Sequence, residues 1–133
     1  MGIDVYFEAD ERLTDECLAS AFEATGATLT GRDAAGIEDE EWSGYFEESG
    51  LTFDAYGDRG SSRIKAEDPK GASFKVARRC VFRYRMSEYD LNVRDLERFL
   101  GVVSAKVGAF FVVSFQLEST LYTYTGGRIQ KYG

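Results

Sequence analysis

AFFVVSFQLE, residues 109–118, is the most continuously apolar run in the chain, and the way it alternates decides the fold. Phe111, Val113, Phe115 and Leu117 make one wholly apolar face, while Phe110 and Val112 begin a second that turns polar at Ser114, Gln116 and Glu118. This pattern predicts an interior strand, buried on both sides at its start and on one side at its end. A buried helical segment is disfavoured by the β-branched and aromatic content and by Gly108 just before the run.

Working outward, the preceding segment predicts a helix from about Asp90 or Asn92 to Val107. Val93, Leu96, Leu100, Val103 and Val107 repeat at three and four, and Phe99 widens the stripe. Gly108 ends it as a left-handed cap. Gly101 inside it costs about 1 kcal/mol against alanine, which is read as a sign of close packing on the sheet. After the apolar run, residues 120–132 read as a hairpin around Thr125, Gly126 and Gly127. Its tyrosines, Tyr122, Tyr124 and Tyr132, either line a pocket or cover a sheet face.

At the other end, Ile3, Val5 and Phe7 alternate with polar neighbours as in a half-buried strand. A helix follows, with Thr14 as N-cap, Asp15 and Glu16 in its first turn, Leu13 and Leu18 as a staple, and Gly26 as its end. Residues 27–31 read as a short strand and 32–41 as an acidic loop. Residues 42–48 and 51–56 read as strands joined by a two-residue turn, Ser49-Gly50. Residues 57–71 contain the only proline and read as an exposed, mobile connection. Residues 73–86 are the longest strand candidate, apolar at even positions apart from Arg78 and basic at Lys75, Arg79, Arg83 and Arg85. A bulge is expected to keep Arg78 out of the interior. Together these elements predict an α+β domain spanning residues 1–133, with a mostly antiparallel sheet of five to seven strands and two helices on one face. A ferredoxin-like core with added strands is the first topology expected.

With 133 residues, 44% of them hydrophobic, the chain can bury a core without disulfide or metal staples. Its 16 basic and 23 acidic side chains give a net charge of -7, which argues against nucleic acid or an anionic membrane as partner. The opening MGIDVYFEAD has no basic and apolar export signature, and no run approaches the ~20 apolar residues of a membrane span. A cytoplasmic location is therefore expected, with Cys17 and Cys80 as free, buried thiols. Histidine is absent, which removes the commonest general base and the commonest metal ligand, so no cofactor or metal is expected.

Two charged stretches stand out. From Asp33 to Asp58 there are nine acidic residues and no basic one. This is either a solvated run or an anionic knob, Glu38, Asp39, Glu40 and Glu41, with Trp42 and Tyr45 as aromatic anchors for a basic protein partner. IEDEEW, residues 37–42, lacks the glycine turn and spaced oxygens of a calcium loop. From Lys70 to Arg85 there are six basic residues and no acidic one. Arg79, Arg83 and Arg85 either bind a phosphate ester or similar small ligand, or pair with the acidic segment inside the fold. No spacing singles out a catalytic pair of carboxylates, and the chain reads as non-enzymatic. A small-ligand enzyme or sensor, or a structural assembly subunit, is the alternative.

The order of a helix followed by VVSFQLESTLYTYTGG resembles the ending of small cytosolic immunity proteins of bacterial polymorphic-toxin and contact-dependent systems. The resemblance covers residues 96–127. It implies a protein that binds one cognate toxin, such as a basic toxin domain acting in the cytosol, and neutralises it by covering its active site or blocking its assembly. No family binding motif is matched, so the resemblance assigns no residue a role.

Overall fold

The computed structural model describes residues 3–30, 41–57 and 62–132. Its elements run β1 (Ile3–Asp10), α1 (Asp15–Ala24), β2 (Ala27–Thr30), β3 (Trp42–Phe46), β4 (Thr52–Gly57), β5 (Val76–Tyr84), α2 (Tyr89–Val102), β6 (Phe111–Phe115), β7 (Ser119–Tyr124) and β8 (Gln130–Lys131). Helix α2 is extended by a π-helical turn, Val103–Val107. The expected local signals are in place. Thr14 Oγ1 accepts the Cys17 N–H at 3.2 Å, Leu13 and Leu18 are fully buried, and Gly108 closes the second helix at φ 73°.

The strands form one antiparallel sheet in the order β2-β3-β4-β5-β1-β6-β7-β8. The fold is α+β as expected, and the two-residue β8 brings the strands among the described residues to eight, beyond the expected five to seven. The four middle strands, β4-β5-β1-β6, with α1 and α2 in the connections, reproduce the βαββαβ order of a ferredoxin-like core. Hairpin β2–β3 is inserted before β4, and β7–β8 is appended after β6.

Strand pairing sorts the side chains into two faces. Val5, Phe7 and Ala9 of β1 lie beside Phe82 and Cys80 of β5 and Phe115, Val113 and Phe111 of β6. Both helices cover this face: Phe22 of α1 stacks on Phe53 at 3.7 Å and on Phe99 of α2 at 4.2 Å, and Phe99 meets Phe7 edge-on at 5.4 Å. Gly44 in β3 is required by this packing, since a Cβ there would lie 2.3 Å from the Phe53 ring and 2.6 Å from Thr28 O.

Several expectations are corrected. The β3–β4 turn spans residues 47–50, because Phe46 and Leu51 are paired by the Phe46 N–H donating to Leu51 O. Gln116 and Leu117 leave β6 and form its turn with β7, both at positive φ, 50° and 65°. A Cβ on Gly101 would touch nothing within 4 Å, so that glycine does not mark a close approach. The expected bulge near Arg78 is present, where Ala9 faces Arg78 and Asp10 faces Val76. Residues 62–75, read as part of an exposed connection and the start of a strand, are instead a strap across the sheet's second face.

Candidate interaction face

The second face, hereafter the back, is divided in two by this strap. Its anchor is Glu8, which projects from β1 away from the helices and is 1% exposed. The carboxylate accepts the backbone N–H of Lys65 at 2.7 Å and of Ala66 at 3.1 Å, and pairs with Arg79 Nε at 3.4 Å. Arg79, 3% exposed, also donates to the Arg63 carbonyl at 2.6 Å. Farther along, Glu67 N–H donates to Leu117 O and Thr120 Oγ1 to Asp68 O. A buried carboxylate needs this degree of satisfaction, since an unpaired charge there is strongly destabilising.

Among the described residues, the strap's contacts fall on β1, β5, β6 and β7, and none of them reaches the face toward β2. Read across the pairing register, Thr28, Tyr45, Thr52, Arg83 and Asp4 form one row of the back. Thr30, Ser43, Asp54, Val81 and Tyr6 form the next. Tyr45 is 39% exposed, Thr28, Thr30, Thr52 and Arg83 are exposed, and Tyr6 and Tyr56 are half-buried. Arg83 Nη1 donates to Asp54 Oδ2 at 2.6 Å and its Nε lies 3.5 Å from Asp4, while Ser43 Oγ donates to the other oxygen of Asp54 at 2.6 Å. The hydrogen bond to Asp54 raises the Arg83 pKa further, and burial raises that of Tyr56 against the lowering influence of Arg79. The open half is a rigid sheet surface bearing tyrosines, hydroxyls and one ion-pair cluster. That composition offers broad contact at little cost in conformational entropy.

The structure separates residues that the sequence reading had grouped. Glu38, Asp39 and Glu40 lie outside the described residues, and Glu41 is exposed just before β3. Trp42 is not a surface anchor. It is 3% exposed on the helix side, donates Nε1–H to Asp15 Oδ1 at 2.8 Å and meets the Phe22 ring edge-on. Arg79 is sealed beneath the strap, and Arg83 is engaged by Asp54 and Asp4. The basic strand thus pairs with acidic residues of adjacent strands inside the fold. Arg85 lies past the end of β5 and over the β3–β4 turn, where a Cβ on Gly50 would be 2.8 Å from its Cδ. Tyr45 and Arg83, drawn from the two rival readings, share one row.

Sequence reasoning missed Glu8, whose position in an alternating strand resembles that of any solvent-facing acid. It also missed Asn92 as a fully buried residue. The Asn92 side chain accepts the Arg85 N–H at 2.8 Å and donates to Ser49 O at 2.9 Å and Glu88 O at 2.7 Å. A signal for it existed: Asn92 precedes Leu96 by four residues and so falls on the apolar stripe of α2. Of the C-terminal tyrosines, Tyr122 and Tyr132 line a cavity on the helix side, while Tyr124 stacks on Phe111 at 5.6 Å.

Among the described residues no helix is long and apolar enough to cross a membrane, and no group of three or more His, Cys, Asp or Glu is placed to hold a metal ion. No family model, curated protein or solved structure matches this chain.

Proposed function

We propose that the chain is a non-enzymatic binding protein of the immunity type, which engages a basic protein partner through the open half of the sheet and the acidic residues that follow β2 in sequence. The observation that carries this reading is the row Thr28, Tyr45, Thr52, Arg83 and Asp4 on a face the strap leaves uncovered. Hairpin β2–β3, which forms that end of the sheet, is also the one that contains Glu38, Asp39, Glu40 and Glu41 in its connection. With a net charge of -7, attraction to a basic surface speeds encounter, and the tyrosines supply desolvated contact once docked. An anionic ligand is disfavoured on the basic strand, because it would have to displace carboxylates from both Arg79 and Arg83.

The test is recovery of partners from source-cell lysate by the tagged protein at low and high salt, read by mass spectrometry. Wild type is run beside Thr52→Arg on the open face and Lys106→Ala on the helix side, each first shown to be folded by circular dichroism. One stoichiometric basic partner is expected at low salt, reduced at high salt, lost with Thr52→Arg and kept with Lys106→Ala. Neutralising Glu38, Asp39, Glu40 and Glu41 as amides should slow association and flatten its salt dependence. Equal recovery by all variants, or no partner at either salt, overturns the reading.

A further inference from the structure

On the helix side, the first turn of α2 and the strands beneath it enclose a cavity of about 350 Å³. This is at the small end of the ~300–1,000 Å³ typical of ligand pockets. Its walls include the rings of Tyr84, Tyr89, Phe115 and Tyr122. Tyr84 and Tyr89 meet edge-on at 5.6 Å.

Three polar groups in this wall have no partner among the described residues: the hydroxyls of Tyr84 and Tyr89 and the carboxylate of Asp90. Tyr84 is 6% exposed, lines the cavity, and its hydroxyl has no hydrogen-bond partner among the described residues. Asp90 is exposed at the cavity's edge and forms no ion pair among the described residues. The remaining charge is already balanced. Lys131 Nζ lies 3.0 Å from Glu97, which also accepts the Tyr122 hydroxyl at 2.7 Å. Burial works to raise the Glu97 pKa, but those two hydrogen bonds outweigh it and hold the carboxyl below its ordinary value. Nearby Lys70, 5.5 Å from the Tyr132 ring, is likewise paired with Asp68. Among the described residues, the lining charge without an ion-pair partner is therefore the Asp90 carboxylate, which the first turn of α2 favours through the helix dipole.

From this geometry we infer a binding site for a small organic cation, a primary ammonium on an aromatic or alkyl body. The rings take the body and present their negative faces to the charge, Asp90 pairs with the ammonium, and the Tyr84 hydroxyl accepts one of its protons. An anion would face Asp90 directly. A neutral apolar guest would leave both Asp90 and Tyr84 without a partner. The same chemistry can come from a free amine or from the lysine side chain of another protein, and the site does not depend on the open back face.

The test is a titration followed by NMR chemical shifts, using four probes. Tyramine is the cation, 4-ethylphenol its neutral analogue, 4-hydroxyphenylacetate its anionic one, and Nα-acetyl-lysine methylamide represents a protein side chain. Tyramine is expected to bind more tightly than 4-ethylphenol, and 4-hydroxyphenylacetate least. Asp90→Asn should cut tyramine affinity about tenfold while sparing 4-ethylphenol, the pattern of a lost charge-assisted bond. Tyr84→Phe should weaken tyramine binding by a smaller factor. Preference for tyramine over the blocked lysine assigns the site to a free amine, and the reverse assigns it to a side chain. The inference is overturned if neither amine saturates by about 10 mM, well above ordinary ligand affinities. It is equally overturned if the anion binds as well as the cation, or if folded Asp90→Asn binds tyramine like wild type.

Discussion

Arg79 and Arg83 sit on the same strand, both on the back of the sheet and each paired across to an acid of β1, yet they do opposite things. The Arg79–Glu8 pair is sealed, with side chains 4% and 1% exposed, and its carboxylate also holds two backbone N–H groups of the strap. In the Arg83 cluster, Arg83 and Asp4 are 53% and 38% exposed and Asp54 is 27% exposed. The buried pair is a latch, because removing Arg79 leaves the Glu8 charge without its counter-ion and removing Glu8 strands the backbone donors of the strap. The exposed cluster lies where solvent screens it, so it contributes little to stability and keeps its polar groups available to a partner. One strand thus serves the integrity of the molecule at one end and a contact surface at the other.

The sharpest way to break this contrast is Glu8→Ala. Loss of the carboxylate leaves the N–H groups of Lys65 and Ala66 without their acceptor and Arg79 without its carboxylate, and urea unfolding should show a loss of about 3–5 kcal/mol. A loss below about 1 kcal/mol, the range of a surface pair, would remove the distinction between the two clusters. A smaller effect of opposite sign is expected at Ser114, which is fully buried on the back of β6 with no hydrogen-bond partner for its hydroxyl among the described residues. Ser114→Ala should raise stability by up to about 1 kcal/mol, measured by the same denaturation, since it removes a desolvated polar group. Leu117→Gly at the strap-bound turn should stabilise by about 0.5–1 kcal/mol, by relieving a left-handed residue at φ 65° while keeping its carbonyl bond to Glu67. The smallest change is expected for Arg83→Ala, within about 0.5 kcal/mol of wild type and closer still in high salt. If Arg83→Ala proved as costly as Glu8→Ala, the open half would be structural and not a contact surface.

What local sequence determines was readable. Thr14, the Leu13–Leu18 staple, the stripe of α2 and Gly108 each fix their own neighbourhood, and the structure has them as the spacing predicts. The misreadings arose where distant segments meet. The strap's role depends on Lys65 and Ala66 finding a carboxylate more than fifty positions earlier in the chain, which no local pattern encodes. Trp42 is a different case, because the signal was present. In WSGYF, Trp42, Gly44 and Phe46 alternate with Ser43 and Tyr45, so a strand there puts Trp42 and Tyr45 on opposite faces and cannot display both to one partner. The acidic run beside them drew attention from that periodicity. Arg83 and Tyr45 could be joined only once the strand order was known, since β4 lies between their strands.

The placing of β1 also governs how the chain is made. β1 precedes every other described strand in the chain yet lies in the interior of the sheet, and its two neighbours begin at Val76 and Phe111. Residues 3–10 therefore wait, with their pairing edges vacant, until residues 76–84 and 111–115 have been synthesised. Such distant pairings close large loops and slow folding relative to chains built from local contacts. A nascent or prematurely terminated product exposes a strand carrying Val5 and Phe7 with nothing to bond to, a natural client for chaperones and proteases.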